Sequence, residues 1–328
     1  MVTWFLRRVY SRFLKEPFRI RGKLERLARE LYSKDVLTSV FEVISIFKDS
    51  IEDVGGKRDL ALLQKEASEV KREFAVPSHF YAIIDMVDTA LKTLLLKEPL
   101  KDPRGEAIRL FNTLEHEVSL EIEEAIALAS QVVPSEGCIA TIGYSTILKE
   151  AISRAPRIDL VVVGERYPFL DGRKLARELR ARRRKVIYTP DVNIYSSIMN
   201  CSAAFIPFYG IVSGKAIVDV GAPVLVHSAR DLGKPVIALG TDLMLYTVGI
   251  KVNLSSAINK YVIDVNALTG SIEAGWSSIT MFDTINISHF DKIVVSSTIL
   301  PSGDEAVISQ VAERVIERLE DNVRRRFM

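Results

Sequence analysis

Apolar residues over the first 130 positions recur at helical spacing. Leu24, Leu27 and Leu31 share one face, Val36, Val40, Val43 and Phe47 share the next, and Ile83, Val87, Ala90, Leu91 and Leu94 share a third. The pattern predicts an all-α half of about five or six helices. Pro77-Ser78 predicts a helix start with Ser78 as N-cap, and Pro99 and Pro103 mark a turn before a further amphipathic helix over 107–131. After Pro134-Ser135-Glu136-Gly137 the period changes. Strands are predicted at 138–142, 160–163, 186–188, 203–208 and 235–239, separated by helices at 146–153, 172–183, beyond Asp191, and 218–232. Unbroken Val/Ile runs suit parallel strands buried on both faces, and their alternation with helices suits a doubly wound sheet. The expected fold class is α/β: an N-terminal all-α domain over 1–133, then a Rossmann-like, doubly wound, mainly parallel sheet domain over 134–328. Residues 240–275 are irregular and read as an insertion or a dimer contact. A last strand at 292–296, a closing helix at 303–318 and a frayed basic tail at 324–327 complete the reading.

Composition narrows the function without giving it. With 328 residues, 48% hydrophobic and 26% charged, the chain can bury a sizeable core, and a net charge of +2 excludes a polycationic nucleic-acid binder. Cys138 and Cys201 lie in apolar runs and read as buried free thiols. No apolar stretch reaches the roughly 18 residues of a membrane span. Arg7 and Arg8 interrupt the apolar N-terminus, so it does not read as a secretory signal, and the cytoplasm is the expected location. His79, His116, His227 and His289 have no metal-ligand spacing, no P-loop occurs, and Gly210–Gly214 is too short for a dinucleotide fingerprint. Neither metal nor cofactor is expected. The first 29 residues are basic, with Trp4, Phe5, Tyr10, Phe13 and Phe18 interleaved. Such a stretch can hold RNA or an acidic partner, or be the solvated face of a helix packed on the core.

Ligands of open parallel sheets bind at the carboxyl ends of strands. Ile142-Gly143-Tyr144-Ser145 sits at such an end. Its backbone N–H groups and the Ser145 hydroxyl suit an anion, and the simpler role of Ser145 is to cap the next helix.

Three segments in fixed order carry a family resemblance: TIGYST at Thr141–Thr146, GERYPFLDGRKLA at Gly164–Ala176 and SGKAIVDVG at Ser213–Gly221. The chain resembles the alpha, beta and delta subunits of translation initiation factor 2B, as a divergent member of archaeal type. That family shares its fold with methylthioribose-1-phosphate and ribose-1,5-bisphosphate isomerases. The resemblance implies that the isomerase acid/base positions are replaced. Gly143 stands where the isomerases have a cysteine, and Phe208 where they have an aspartate. Val218-Asp219 stands in place of an Asn-Lys pair, turning a positive charge negative. Neither glycine nor phenylalanine can exchange a proton, so no catalytic residue is expected. In the phosphate loop Tyr167 holds the arginine's place and Arg166 comes one position early, a shift expected to turn its side chain away. Arg21 and Gly22 match a phosphate-lining Arg-Gly pair. The remnant pocket implied is therefore Arg21, Gly22, Gly143, Ser145 and Arg166. The resemblance implies a non-catalytic regulatory or binding protein, a homodimer or larger oligomer through the C-terminal domain, and initiation factor 2 or a phosphorylated small molecule as partner. The alternative is a sugar-phosphate isomerase using Asp191 or Asp219. RNA binding through the basic N-terminus is a third reading.

Overall fold

The computed structural model of the protein describes residues 18–31, 34–155, 158–264, 278–301 and 304–327. The basic stretch ahead of residue 18, apart from the residues that follow it, lies outside these limits, as does 265–277 within the irregular region.

The first half is helical. Helix α1 (Ile20–Glu30) buries Ile20, Leu24, Leu27 and Ala28. Its first N–H groups lack intrahelical acceptors. The buried carboxylate of Glu66 supplies them, accepting from Phe18 N at 2.9 Å and Ile20 N at 3.1 Å. Helices α2 (Ser39–Ile51) and α3 (Lys57–Val70) follow, and Glu66 lies on the latter. Helix α4 (Ser78–Leu96) is buried around most of its circumference, including Ile83, Val87, Ala90, Leu91 and Leu94. Ser78 is the first helical residue rather than the N-cap, a place Pro77 takes. Its hydroxyl instead reaches Thr247, and a Cβ at Gly210 would lie 1.9 Å from Ser78 Oγ. That approach of a helix to strand backbone requires a glycine. Helix α5 (Pro103–Val132) starts on a proline, with the Asp102 side chain accepting from Gly105 N at 2.9 Å.

The sheet then begins. In chain order come β1 (Cys138–Ile142), α6 (Thr146–Arg154), β2 (Leu160–Gly164), α7 (Asp171–Ala181), β3 (Val186–Thr189) and α8 (Ile194–Ile198). Next are β4 (Ala203–Val212), β5 (Lys215–Asp219), α9 (Ala222–Asp231), β6 (Val236–Leu239), α10 (Leu254–Ile258) and the short pair β7 (Val262–Ile263) and β8 (Ile279–Thr280). The chain closes with β9 (Phe282–Asn286), β10 (Lys292–Val294), β11 (Ile299–Pro301) and α11 (Glu305–Phe327). The main sheet has the order β11-β10-β6-β4-β1-β2-β3. All its neighbours run parallel except β10 and β11. The expected α/β class, helical first and mainly parallel second, is what the chain adopts.

Several local expectations are corrected. Strand β4 runs past residue 208 and turns back at Ser213-Gly214, whose φ values are 50° and 71°. Positive φ at both loop positions suits a tight hairpin. The returning β5 pairs antiparallel with β4 and with β9, so residues 218 and 219 are strand, and the next helix starts only at Ala222. Alternating burial could not reveal this hairpin, because every β4 residue is buried. The expected basic tail is the last turns of α11. Cys138 and Cys201 are joined in a disulfide rather than free; Ser202, next to Cys201, pairs with Cys138 across neighbouring strands. Among the described residues no helix is long and apolar enough to cross a membrane.

The halves interlock. Helix α5 packs on α6 and β10, and α4 packs on β4, on the turn at Asp242–Leu245 and on α11. The Tyr261 hydroxyl donates to the Val76 carbonyl just ahead of α4.

Candidate functional site at the strand ends

The order of the sheet reverses at β1, which lies between β2 and β4. This is the switch point at which open sheets hold ligands. Gly143 leaves the end of β1 with a φ of 71°. A Cβ there would stand 3.2 Å from Asp219 Oδ2, 3.5 Å from Asp171 Oδ1 and 3.7 Å from Arg166 Nε. The glycine thus opens directly on a buried charged cluster.

Arg166 is the centre of that cluster. Its side chain is only 3% exposed. Nη1 donates to Asp219 Oδ1 at 2.7 Å and to the Met281 carbonyl at 3.3 Å. Nε donates to Asp171 Oδ2 at 2.9 Å, and Nη2 donates to the same oxygen. The Phe169 ring covers the guanidinium at 4.4 Å. Tyr209 donates its hydroxyl to Asp219 Oδ2 at 3.0 Å. The expected register is therefore corrected: Arg166, one place early, points into the cleft, while Tyr167 is 60% exposed.

The loop that achieves this is built around Glu165. One of its oxygens accepts from Arg166 N at 2.8 Å and Gly172 N at 3.2 Å; the other accepts from Arg173 N at 3.2 Å and from the Tyr188 hydroxyl. The carboxylate thus caps α7 and fixes the residue beside it. Gly172 is required there, since a Cβ would fall 2.4 Å from the Gly164 carbonyl oxygen.

Two acids share one guanidinium. Burial raises the Asp219 carboxyl to about 7; Arg166 works against that shift and Asp171 adds to it. Tyr209 is pushed well above its ordinary value, first by burial and then by Asp219. Arg166 stays charged because Asp171 and Asp219 outweigh its desolvation. A third acid, Asp35 of the helical half, lies against the Thr146 hydroxyl at the start of α6 and is raised by burial. The chain's own acids Asp171 and Asp219 therefore already occupy the guanidinium of the cleft.

The other residues singled out by sequence are placed as follows. Ser145 caps α6, accepting from Leu148 N at 3.3 Å. Arg21 pairs with Glu73 at 2.8 Å, within the helical half. Gly22 has no heavy atom within 4 Å of where a Cβ would stand. Of the pocket remnant, Gly143 and Arg166 come together, a Gly143 Cβ lying 3.7 Å from Arg166 Nε. Phe208 is 1% exposed, and its ring fills the space beside Gly240, where a Cβ would come within 2.6 Å. Asp191 accepts from its neighbour Val192 N at 2.9 Å. At the rim, Lys149 meets Glu178 at 3.2 Å and donates to the Tyr144 hydroxyl at 3.0 Å, and Lys174 stands 4.3 Å over the Tyr144 ring. Among the described residues no group of three or more His, Cys, Asp or Glu could hold a metal ion. Asp171, Tyr209 and Asp35 were not singled out from sequence. Asp171 alone had a signal, as an acid in the first turn of a helix; nothing local links Asp35 to a site more than 100 residues further on.

No protein-family model and no curated protein sequence matches this chain. Solved structures do. One chain of the tetrameric eIF2B-beta2-delta2 complex from C. thermophilum superposes with a TM-score of 0.65 at 13% identity, over 94% of this chain and 98% of that one. The translation initiation factor eIF-2B of Pyrococcus horikoshii OT3 gives 0.61 at 15% identity, over 84% and 96%. The 5-methylthioribose 1-phosphate isomerase of the same organism gives 0.60 at 14% identity, over 90% and 88%. The fold is thus common to initiation-factor subunits and to an isomerase.

Proposed function

We propose, starting from a fold shared by initiation factor 2B subunits and a sugar-phosphate isomerase, that this chain is a non-catalytic binding or regulatory protein. One observation carries the reading. Arg166, whose Nε lies 3.7 Å from where a Gly143 Cβ would stand, is already held by Asp171 and Asp219. A phosphate entering there would have to displace buried carboxylates and would meet their charge. Gly143 and Phe208 meanwhile offer no ionisable group. By resemblance, the partner class is a protein of the initiation factor 2 type, and the assembly is a dimer or larger oligomer through the sheet-bearing half. A cytoplasmic setting belongs to the same proposal.

The isomerase reading keeps one observation in its favour. Asp219, raised to about 7 beside the strand end, has the acidity of a general acid/base at neutral pH. Titration calorimetry with ribose 1,5-bisphosphate, methylthioribose 1-phosphate and AMP, with turnover of both sugars assayed in parallel, separates the two. The expected result is no turnover. Aldose–ketose conversion that vanishes in Asp219→Asn would overturn the non-catalytic reading. Binding without turnover would make the cleft a metabolite sensor, and neither result directs the search to protein partners.

A further inference from the structure

Away from the strand-end cleft, a second cluster joins parts of the chain that are distant in sequence. Arg318 on α11 donates from one nitrogen, Nη2, to Glu121 Oε1 at 2.8 Å and to Asp242 Oδ2 at 2.7 Å. Glu121 belongs to α5 of the helical half, and Asp242 to the turn after β6. The side chain of Asp242 is 0% exposed and that of Glu121 8% exposed, whereas Arg318 is 41% exposed. Asp242 is held from its other side, its Oδ1 accepting from Ser297 N at 3.1 Å and from Ser297 Oγ at 3.0 Å. The charged groups facing Glu121 are Asp242, Arg318 and, on its own helix, Glu124, with the Ser296 hydroxyl beside it.

One cation shared by two buried acids is neutral only when one acid carries a proton. Asp242 accepts from Arg318 Nη2, Ser297 N and Ser297 Oγ, whereas Glu121 accepts from Arg318 and has the Ser296 hydroxyl beside it. We propose that Arg318 is a proton-controlled latch: it ties the C-terminal helix to both halves while Glu121 is protonated, and the tie slackens when Glu121 ionises beside Asp242. Burial first, and the Asp242 charge second, raise the Glu121 carboxyl to about 7, which puts the change in the neutral range. The element released is α11, which packs on α4 and on the turn carrying Asp242. The latch therefore controls how firmly the chain end covers the junction of the halves.

Hydrogen exchange of the full-length protein tests this, with rates divided by the intrinsic exchange rate at each pH. The expected result is a loss of α11 protection as pH rises from about 5 to about 7, the span between the ordinary value of 4.5 and the folded value of about 7, of up to roughly tenfold per pH unit. Glu121→Gln abolishes the loss and keeps α11 protected throughout. Should Glu121→Gln fail to fold, Glu121→Met, which also carries no charge, makes the same test. Arg318→Met leaves α11 at the poorly protected level at both pH values. Equal α11 protection of the wild type at both pH values would overturn the proposal. So would an unchanged loss in the Glu121 variants, or wild-type protection in Arg318→Met.

Discussion

Arg166 Nη1 and Asp219 Oδ1 lie 2.7 Å apart, both side chains almost wholly excluded from solvent. Sequence comparison alone makes Arg166 a displaced remnant of a phosphate loop and Asp219 a charge reversal. In the fold the two are one feature, because the reversed charge is what holds the displaced arginine. Buried ions are tolerated when each is paired and hydrogen-bonded, and here Asp171 and Tyr209 complete the pairing.

Removing the cation should be far worse than removing either acid. Arg166→Met leaves Asp171 and Asp219 facing each other, and breaking a buried pair from one side costs about 3–5 kcal/mol. Urea unfolding should show a loss of that size. Adding Asp219→Asn to Arg166→Met should recover part of it, since one of the stranded charges is then gone. A double variant no more stable than the single one would contradict this account of the cluster.

Asp219→Asn alone gives a pH test. The ordinary value for this acid is 3.8 and the folded value is about 7, so between these the folded protein holds a proton that the unfolded chain has released. Stability must then fall as pH rises through that window, and the contribution is fully lost above it. Asparagine carries no such proton. The variant's unfolding midpoint should decline less steeply between about pH 4 and about pH 7 than that of the wild type, the Glu121 contribution being common to both. Isotherms with inorganic phosphate at neutral pH should show binding to the variant that the wild type lacks, because Arg166 then faces a single carboxylate.

Much of this architecture was legible in the residues themselves. The heptad-like spacing of α4 and the Val-rich run of β2 each admit one reading, because length and period agree. The β4–β5 hairpin was not legible. Its strands are buried on both sides, so no alternation marks them, and Ser213-Gly214 is a weak turn signal beside the helix-like run that follows. In the cleft, Arg166 was visible as a candidate but with the wrong orientation. The orientation is set by Glu165, whose contacts to Gly172, Arg173 and Tyr188 are made only in the folded loop. Arg21 was expected beside it and is paired with Glu73.

Gly172→Ala probes that loop. A Cβ would sit 2.4 Å from the Gly164 carbonyl oxygen, which is strand backbone and cannot move aside cheaply. Overpacking of this kind typically costs about 1–3 kcal/mol. Beyond the lost stability, α7 should be pushed from the sheet and Arg166 with it. The expected readout is a lowered unfolding midpoint together with a flattened Asp219-dependent pH slope. An alanine variant with both unchanged would show that the close approach is not needed.

The seam between the halves bears on how the chain can be divided. Ser78 is lodged against Gly210 with no room for even a methyl group, and Tyr261 reaches across to the Val76 carbonyl. Scission between Val132 and Cys138 would therefore not release two modules. Each fragment would carry a raw apolar face, the first along α4 and the second along β4, and neither is expected to remain in solution when expressed by itself. Produced together, they should reassociate into a nicked but complete molecule that elutes as one species.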